Sequence, residues 1–342
     1  MSNSLSLVRS VKKIIKIIKK NLFWLSYITC YKIRNILKHD VVFAESWLKF
    51  KGYHVCPNNW GDDINKYFFE YAADIKIAFV PPPGMLVKYL FFRNAEYYKF
   101  ICSLSKKKLR LSNCIIYGTG LMASDVKIEE APKRIISVRG PLTRKAILEQ
   151  GIECPDKCGD IACLLPLFYT PKIPSGTKRI TIIPHFRTLK TGCNLVNKIA
   201  AEHDCSILSM FKYDKWTDII DAIAGSSFVI SESLHGLVVS ETYNIPCVWV
   251  EFLDHSPDMN IMGKYYNDWS FKFRDFFESI GKHNMQSVKL YEGYDSDEIL
   301  KLKDSWRPGN IDYEKMLGYF PFSIKPEFKP HIAEFLKRVS KS

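Results

Sequence analysis

Several basic and imidazole side chains follow predicted buried strands in this 342-residue chain. His185 and Arg187 come after one apolar run, Ser233 and His235 after another, and Arg139 after a third. Arginine can bind a carboxylate or phosphate group through two hydrogen bonds, and histidine can exchange a proton near neutral pH. Ligands of open α/β sheets bind beyond the carboxyl ends of the strands. These residues therefore indicate a site for a small anion with acid–base chemistry, provided that the sheets carrying them face each other.

The predicted start of a helix gives His235 a particular environment. A helix predicted over 234–244 places this histidine in its first turn, followed by Gly236. A helix N-terminus favours bound anions and lowers the proton affinity of an imidazole there. The same position also fits a histidine bonded only within its own protein, and Arg139 also fits a surface ion pair. Both interpretations stay open on the sequence alone.

Two further pairs of residues are candidates for the site. Asp62 and Asp63 lie at the start of a helix predicted over 60–73. Either carboxylate could deprotonate a hydroxyl, or both could cap and charge the first turn of their helix. Gly118 and Gly120 end a predicted buried strand, where their turn could bind a substrate.

The elements that must position these residues alternate between strand and helix. Strands are predicted over 114–118, 134–138, 179–185, 205–210, 228–231 and 246–250, the last closing the set, and helices over 60–73, 141–150, 193–202, 216–225 and 234–244. Such alternation over short connections implies parallel pairing through right-handed crossovers. The predicted fold class is α/β, with two Rossmann-like lobes facing a cleft in a GT-B-like arrangement.

Four segments divide the chain in this interpretation. A basic amphipathic N-terminal arm covers 1–40, an N-terminal α/β lobe 41–170, a C-terminal Rossmann-like lobe 171–310, and a C-terminal helical segment 311–342. The stretch 86–111 is basic and rich in aromatic residues. It could stack on a sugar or fill the core.

Positive charge is concentrated in the arm. The chain has 49 Lys and Arg against 36 Asp and Glu, a net charge of +13. Residues 1–40 hold nine basic side chains and a single acid, Asp40. This asymmetry argues against a nucleic-acid-binding body and favours an arm that meets an anionic surface. Apolar residues at helical spacing there predict a basic amphipathic helix that lies on an anionic membrane, packs on its own protein, or binds a calmodulin-like or nucleic-acid partner.

The compartment is predicted from cysteine usage and apolar runs. The ten cysteines contain no Cys-x₂-Cys pair, which favours buried thiols in a reducing compartment. No apolar run is long enough for a transmembrane helix, and no signal-peptide cleavage pattern follows the apolar segment near residue 25. We expect a cytoplasmic protein, either free or peripheral on the inner face of the cell membrane.

Five short motifs occur in a recognisable order. They are Asn-Asn-Trp-Gly-Asp-Asp-Ile-Asn at 58–65, Gly-Thr-Gly at 118–120, Val-Arg-Gly-Pro-Leu-Thr at 138–143, Gly-Asp-Ile-Ala at 159–162 and Ser-Glu-Ser-Leu-His-Gly at 231–236. In this order and context the chain resembles the polysaccharide pyruvyltransferases over about residues 53–281, including Lys-Phe-Arg-Asp-Phe at 272–276.

The resemblance implies transfer of pyruvate from phosphoenolpyruvate to two hydroxyls of a sugar, forming a cyclic ketal. The acceptor would be a sugar or lipid-linked oligosaccharide in capsule or exopolysaccharide synthesis, with no nucleotide sugar. Position by position, Arg139 would bind the donor and His235 would be the catalytic or phosphate-contacting histidine. Some family members carry Arg where this chain has Ser233. We therefore expect a compensating cation from Arg187, His185 or Lys272.

The chemistry of the donor fits these residue types. Phosphoenolpyruvate carries about three negative charges, which arginine and lysine can bind. A general acid must protonate its methylene carbon and a base must deprotonate the sugar, roles that His235 and Asp62 or Asp63 could fill. No metal or cofactor is predicted, because arginine, lysine and helix ends can supply the positive charge. The alternatives are a GT-B glycosyltransferase that uses a nucleotide sugar and a non-catalytic membrane-bound module of the same fold.

Overall fold

The computed structural model describes residues 2–46, 49–51, 54–82, 84–101, 103–105, 108–173, 179–191, 193–253 and 268–340. The strands are β1 (Val41–Ala44), β2 (Lys49–Lys51), β3 (His54–Cys56), β4 (Lys76–Phe79), β5 (Tyr97–Lys99), β6 (Ser103–Leu104), β7 (Lys108–Arg110), β8 (Cys114–Tyr117), β9 (Gly120–Leu121), β10 (Lys127–Glu130), β11 (Arg134–Ser137), β12 (Ile180–Ile183), β13 (Ser206–Ile207), β14 (Phe228–Ser231), β15 (Cys247–Phe252) and β16 (Val288–Leu290). The helices are α1 (Ser2–Lys38), α2 (Trp60–Ala72), α3 (Leu86–Phe92), α4 (Pro141–Leu148), α5 (Phe186–Thr191), α6 (Asn194–Glu202), α7 (Trp216–Ala224), α8 (Leu234–Thr242), α9 (Phe271–Ser279), α10 (Ser296–Ser305), α11 (Tyr313–Gly318) and α12 (Lys329–Val339), with 3₁₀ helices at Ile161–Leu167 and Pro326–Phe328.

Two five-stranded parallel sheets form the two lobes. The first has the order β11-β8-β5-β1-β4 and the second the order β13-β12-β14-β15-β16. Strands β8 and β14 are buried throughout, as expected for parallel strands covered on both faces. The predicted α/β class with two Rossmann-like, GT-B-like lobes is confirmed.

Both sheets share one topology. In each sheet the first strand, β1 or β12, lies between its second and third strands in chain order. Successive strands are therefore added first toward one edge of the sheet and then toward the other. This reversal of strand order falls between β1 and β5 in the first lobe and between β12 and β14 in the second. Ligands of doubly wound folds bind in the crevice beyond the strands at this reversal. The loops after these four strands are thus the parts of the fold expected to carry the site.

The second sheet differs from the sequence prediction at its edges. The strand predicted over 246–250 does not close the set, because β16 pairs with β15 in parallel. The run Val288–Leu290 is too short, with Lys289 exposed at its middle, to show a strand periodicity. At the other edge β13 covers two residues of the predicted 205–210, and both are exposed.

The N-terminal helix is continuous with the first lobe. The sequence predicts an arm over 1–40, but Trp24, Tyr27 and Ile28 are buried in the same core cluster as the first sheet. The Tyr27 hydroxyl accepts a hydrogen bond of 3.2 Å from the backbone N–H of Phe79 in β4. The second half of α1 therefore belongs to the lobe, and its first half projects from it.

The C-terminal segment returns to the first lobe. Ile324 forms a backbone bridge with Ala73, just after α2, and the rings of Phe320 and Phe322 lie 6.0 and 5.7 Å from the ring of Phe69. These contacts fix the C-terminal end of α2. The N-terminal end of the same helix enters the cleft described below. Among the described residues, no helix combines the length and the apolar character needed to cross a bilayer.

Candidate functional site

A cleft of about 650 Å³ lies between the two lobes, where the chain reversals of their sheets face each other. From the first lobe come the N-terminus of α2 and the loop around β6, and from the second lobe the segments after β12, β13 and β14 and the first turn of α9. Its lining residues are Asn58, Asn59, Asp62, Ser103, Ser105, Met122, Pro184, His185, Phe186, Arg187, Met210, Phe211, Ser233, Leu234, His235 and Lys272.

The turn between β14 and α8 places His235 in the cleft. Ser231 closes this turn, since its hydroxyl accepts a bond from the backbone N–H of Ser233 and donates one to the Ser233 carbonyl. The Glu232 carboxylate accepts bonds from the backbone N–H groups of His185 and Phe252, at 2.9 and 3.2 Å. Glu232 thereby links the carboxyl ends of the three adjacent strands β12, β14 and β15.

The imidazole of His235 touches the other lobe. A β-carbon at Gly61 would lie 2.1 Å from its Nδ1 atom, and its ring centroid is 6.2 Å from that of Trp60. Burial, followed by the charges of Lys272 and Arg139, lowers the pKa of His235 to about 3. The imidazole is therefore neutral at physiological pH and acts as one hydrogen-bond donor and one acceptor.

Asp62 and Asp63 point in different directions. Asp62 lines the cleft and accepts a bond of 2.7 Å from the Asn59 side chain. Burial, together with the negative charge of Asp63, raises the pKa of Asp62 to about 7. Asp63 is fully buried beneath the cleft, where it accepts bonds from the backbone N–H of Asn58 and from the hydroxyl of Tyr213. Of the two, only Asp62 can reach a substrate in this arrangement.

Lys272 supplies a cation from α9. Its ammonium group lies 5.0 Å from the ring centroid of Phe273. Burial, followed by the charge of Arg139, lowers the pKa of Lys272 to about 8, while Asp62 opposes this shift. The ammonium is thus mostly protonated at pH 7, and its free base becomes accessible just above that pH.

The segment after β12 contributes His185 and Arg187. The guanidinium of Arg187 lies 5.5 Å from the ring centroid of Phe186. Burial, followed by the charges of Lys272 and Arg187, lowers the pKa of His185 to about 3. Both cleft imidazoles are therefore held neutral by burial and by nearby positive charge, and that charge favours the binding of an anion.

Arg139 lies beneath the cleft and is 1% exposed. Its guanidinium donates to the Asp275 carboxylate at 3.2 Å, to the Ser103 hydroxyl at 3.0 Å and to the Leu121 carbonyl at 2.7 Å. A β-carbon at Gly120 would come within 2.6 Å of this guanidinium, so the glycine makes room for it. Arg139 positions the cleft residue Ser103 through its hydrogen bond. It does not line the cleft itself and acts on it only electrostatically, through its positive charge.

Asp275 connects Arg139 to the helix that carries Lys272. It is fully buried on α9 and also accepts bonds from the backbone N–H and the hydroxyl of Thr143 in α4, at 2.8 and 2.7 Å. Because α4 and β11 belong to the first lobe and α9 lies between strands β15 and β16 of the second sheet, this buried cluster joins the two lobes directly under the site.

The structure thus brings together six of the predicted site residues at one cleft and places four elsewhere. Asp62, His185, Arg187, Ser233, His235 and Lys272 line the cleft; Asp63, Gly118, Gly120 and Arg139 do not. Gly118 has a φ of +73°, and a β-carbon there would lie 2.2 Å from the Ile161 side chain, so its position serves the turn and the packing. Ser233 is the N-cap residue of α8.

Sequence reasoning missed several lining residues. Ser103 and Ser105 come from the aromatic-rich stretch 86–111, and no pattern singles out isolated serines there. Asp275 lies under the cleft and not in its lining, and it carried a signal, because it comes three residues after Lys272 and therefore lies on the same side of a helix. No group of three or more His, Cys, Asp or Glu arranged to hold a metal ion is found within the part of the chain that the structure describes. Independence from a metal or cofactor stays a prediction.

Comparison with known proteins identifies the family to which the sequence is similar. The family model for polysaccharide pyruvyl transferase matches residues 9–255, which is more than half of the chain. A curated relative, uncharacterized protein L143 of Acanthamoeba polyphaga mimivirus, is 26% identical over 205 residues. That match covers 58% of this chain and 66% of the relative, so the chain spans just under two thirds of the relative's length.

Proposed function

The chain belongs to the polysaccharide pyruvyl transferase family, and from this premise we propose that it transfers pyruvate from phosphoenolpyruvate to a sugar of a surface-polysaccharide precursor, forming a cyclic ketal. The observation that carries the proposal is the cleft itself. One carboxyl with a pKa near 7, two neutral imidazoles and the cations Lys272 and Arg187 converge between the lobes. This combination suits a small, highly charged donor and a neutral polyol acceptor.

Binding of the donor rests on positive charge. Phosphoenolpyruvate carries about three negative charges, and lysine, arginine and helix N-termini are the groups that bind such anions. Lys272, Arg187 and the N-terminus of α8 all border the cleft. Arg139 adds to the positive potential from below, as its effect on the pKa of His235 indicates. In this proposal Lys272 and Arg187 supply the positive charge that some family members obtain from an arginine where this chain has Ser233, and they do so more readily than His185, which is neutral.

Proton transfer falls to His235 and Asp62. A bound trianion favours the charged form of His235, which can then protonate the methylene carbon of the donor. The oxocarbenium-like carbon formed in this way is attacked by a sugar hydroxyl, whose proton passes to Asp62. The bond to the phosphate oxygen then breaks as Asp62 passes its proton to the leaving phosphate. The second hydroxyl closes the ring at the oxocarbenium-like carbon that results, and its proton returns to His235. One donor and one diol give one ketal and one hydrogen phosphate.

We also propose that the acceptor is lipid-linked, in capsule or exopolysaccharide synthesis, and that transfer takes place at the inner face of the cytoplasmic membrane. The support for this is the exposed basic surface of α1, where the side chains at 9–20 are all exposed. Surface polysaccharides built on lipid carriers would bring the acceptor to that face.

Incubation of the purified protein with phosphoenolpyruvate and a panel of oligosaccharides tests the proposal. We expect phosphate release matched one to one by a mass gain of one pyruvate less one water on the glycan. Lys272→Met should abolish both, whereas Lys133→Met, at a surface lysine paired with Glu96, should leave both unchanged. Binding of UDP- or GDP-sugars with sugar transfer, and no binding of phosphoenolpyruvate, would assign the cleft to a glycosyltransferase instead.

A further inference from the structure

One face of α1 is an exposed apolar strip along most of its length. Its members lie on one side of the helix, at intervals of three or four residues apart from one adjacent pair and one gap of eight, and are between 40% and 72% exposed: Val11, Ile14, Ile15, Ile18, Leu22, Leu25, Ile33 and Ile36. From the first to the last, this α1 strip spans about 38 Å of helix. Trp24, Tyr27 and Tyr31 lie on the opposite side of the same helix and pack on the first lobe. The strip therefore points away from the body of the protein.

All the charged side chains on the projecting first half of α1 are basic. Arg9, Lys12, Lys13, Lys16, Lys19 and Lys20 are exposed, and no acidic residue occurs before Asp40. At 100° per residue these basic side chains fall on the side of the helix that, further along, packs against the lobe. The helix thus lies with an apolar side outward and with its charges and the protein body on the other side.

Helix α3 adds apolar surface beside the strip. It packs against α1, where the ammonium of Lys32 lies 5.6 Å from the ring centroid of Phe91. Leu86, Tyr89 and Leu90 of α3 are each about 60% exposed. Monomeric soluble proteins rarely leave contiguous apolar surface of this extent uncovered.

We propose that the α1 strip and the exposed residues of α3 form one docking surface for an anionic lipid bilayer, with α1 lying flat in the interface. This deepens the membrane location proposed above, on which it rests, by naming the surface and the orientation. The strip enters the acyl boundary, the flanking lysines and Arg9 meet anionic headgroups, and the first lobe is held above the membrane. Because the second half of α1 is part of the lobe core, the enzyme is held in one orientation and is not loosely tethered.

The charge pattern selects the bilayer over a second copy of the chain. Two α1 strips packed together would bury the apolar side but leave both sets of basic side chains without an acidic partner, since no acidic residue occurs before Asp40. An anionic membrane satisfies both features at once, since it offers an apolar interior under a negative surface.

Cosedimentation of the full-length protein with vesicles tests this surface. Deletion of residues 1–40 would remove core residues such as Trp24, so we use exposed positions only. Ile14→Ser/Ile18→Ser/Leu22→Ser alters the strip, and Leu86→Ser/Leu90→Ser alters α3. Ile173→Ser/Ile207→Ser/Val339→Ser is the control, because it removes three other exposed apolar side chains elsewhere, at 37–48% exposure against 52–59% in the strip variant.

We expect binding to phosphatidylcholine vesicles containing phosphatidylglycerol and little binding to phosphatidylcholine alone. The strip variant should bind at least about tenfold more weakly, the α3 variant about threefold more weakly, and the control like the wild type. Equal vesicle binding by the strip variant would overturn the proposal. So would a dimer in solution that dissociates on the strip substitutions, since the occupant would then be a second copy. Vesicle binding does not require catalysis, so it can fail while pyruvyl transfer succeeds, and the reverse.

Discussion

The imidazole of His235 rests on the α-carbon of Gly61, so closely that a β-carbon there would lie 2.1 Å from Nδ1. Gly61 is in the first turn of α2 in one lobe, and His235 is in the first turn of α8 in the other. Glycine is required here for close approach, since residues in a helical turn need no special backbone angles. The contact fixes the distance between the two lobes at the site.

Gly61→Ala tests this contact. The added methyl group must push the imidazole away from its position, and a displacement of about 1 Å in a catalytic group costs on the order of 100-fold in rate. We expect kcat to fall by about that factor while the protein stays folded. Gly318→Ala is the control, because a β-carbon there meets no atom within 4 Å. Steady-state kinetics of both variants decide the matter, and wild-type kcat in Gly61→Ala would contradict the assigned role of His235.

The pH dependence of kcat/KM for the sugar acceptor, measured with saturating phosphoenolpyruvate so that His235 is already protonated, should be bell-shaped with a narrow maximum. Asp62 must be ionised to accept a proton from the sugar, so activity rises as the pH rises through about 7. Lys272 must be protonated to bind the donor, so activity falls as the pH rises through about 8. The maximum is expected between these two values.

Two variants identify the limbs of that profile. Asp62→Asn should remove the acid limb and lower the rate by about 10²–10⁴-fold. Lys272→Arg keeps the charge but has a pKa above 12, so the alkaline limb should leave the measurable range. Asp74→Asn, at an exposed aspartate after α2, should leave both limbs in place. An acid limb that persists in Asp62→Asn would transfer the role of base to another group.

Arg139 and Asp275 give a prediction about stability. Removing one partner of a buried ion pair leaves the other charge uncompensated, at a cost of about 3–5 kcal/mol. We expect Arg139→Met and Asp275→Leu each to lower the free energy of unfolding by about that amount, and the double variant to lose clearly less than the sum. Denaturant unfolding of the three variants measures the coupling. Arg139→Met with unchanged stability and a raised KM for phosphoenolpyruvate would instead make it a direct donor-binding residue.

The site could be predicted from the sequence where topology alone decides position. His185, Arg187 and His235 follow strands of a parallel sheet, so their convergence follows from strand order. Asp62 and Asp63 could not be told apart, because adjacent residues of a helix differ by about 100° in direction and only packing shows which one faces the lobe core. Arg139 was placed near the site but not under it, since burial of an arginine depends on a distant partner, Asp275.

The fold, like the site, could be predicted from the sequence only in part. The alternation of strands and helices predicted the second sheet, but strands β1, β4 and β5 of the first sheet have no clear signal in a stretch crowded with aromatic residues. The apolar spacing in α1 predicted the helix. It could not show that Trp24 enters the lobe core while Leu25, one residue later, faces outward, because both lie in one apolar run.

Binding of the donor should change the protonation of His235. Without the donor, burial together with the charges of Lys272 and Arg139 lowers the pKa of this imidazole to about 3. Three negative charges beside it favour the imidazolium, so the pKa must rise when phosphoenolpyruvate binds, and by linkage the donor binds more tightly as the pH falls. NMR of ¹⁵N-labelled imidazoles at pH 7, with and without phosphoenolpyruvate and no acceptor, measures this directly. We expect the His235 nitrogens to shift toward the imidazolium position, while His39, which does not line the cleft, stays unchanged. A His235 signal that remains neutral in the saturated complex would exclude it as the acid that protonates the donor.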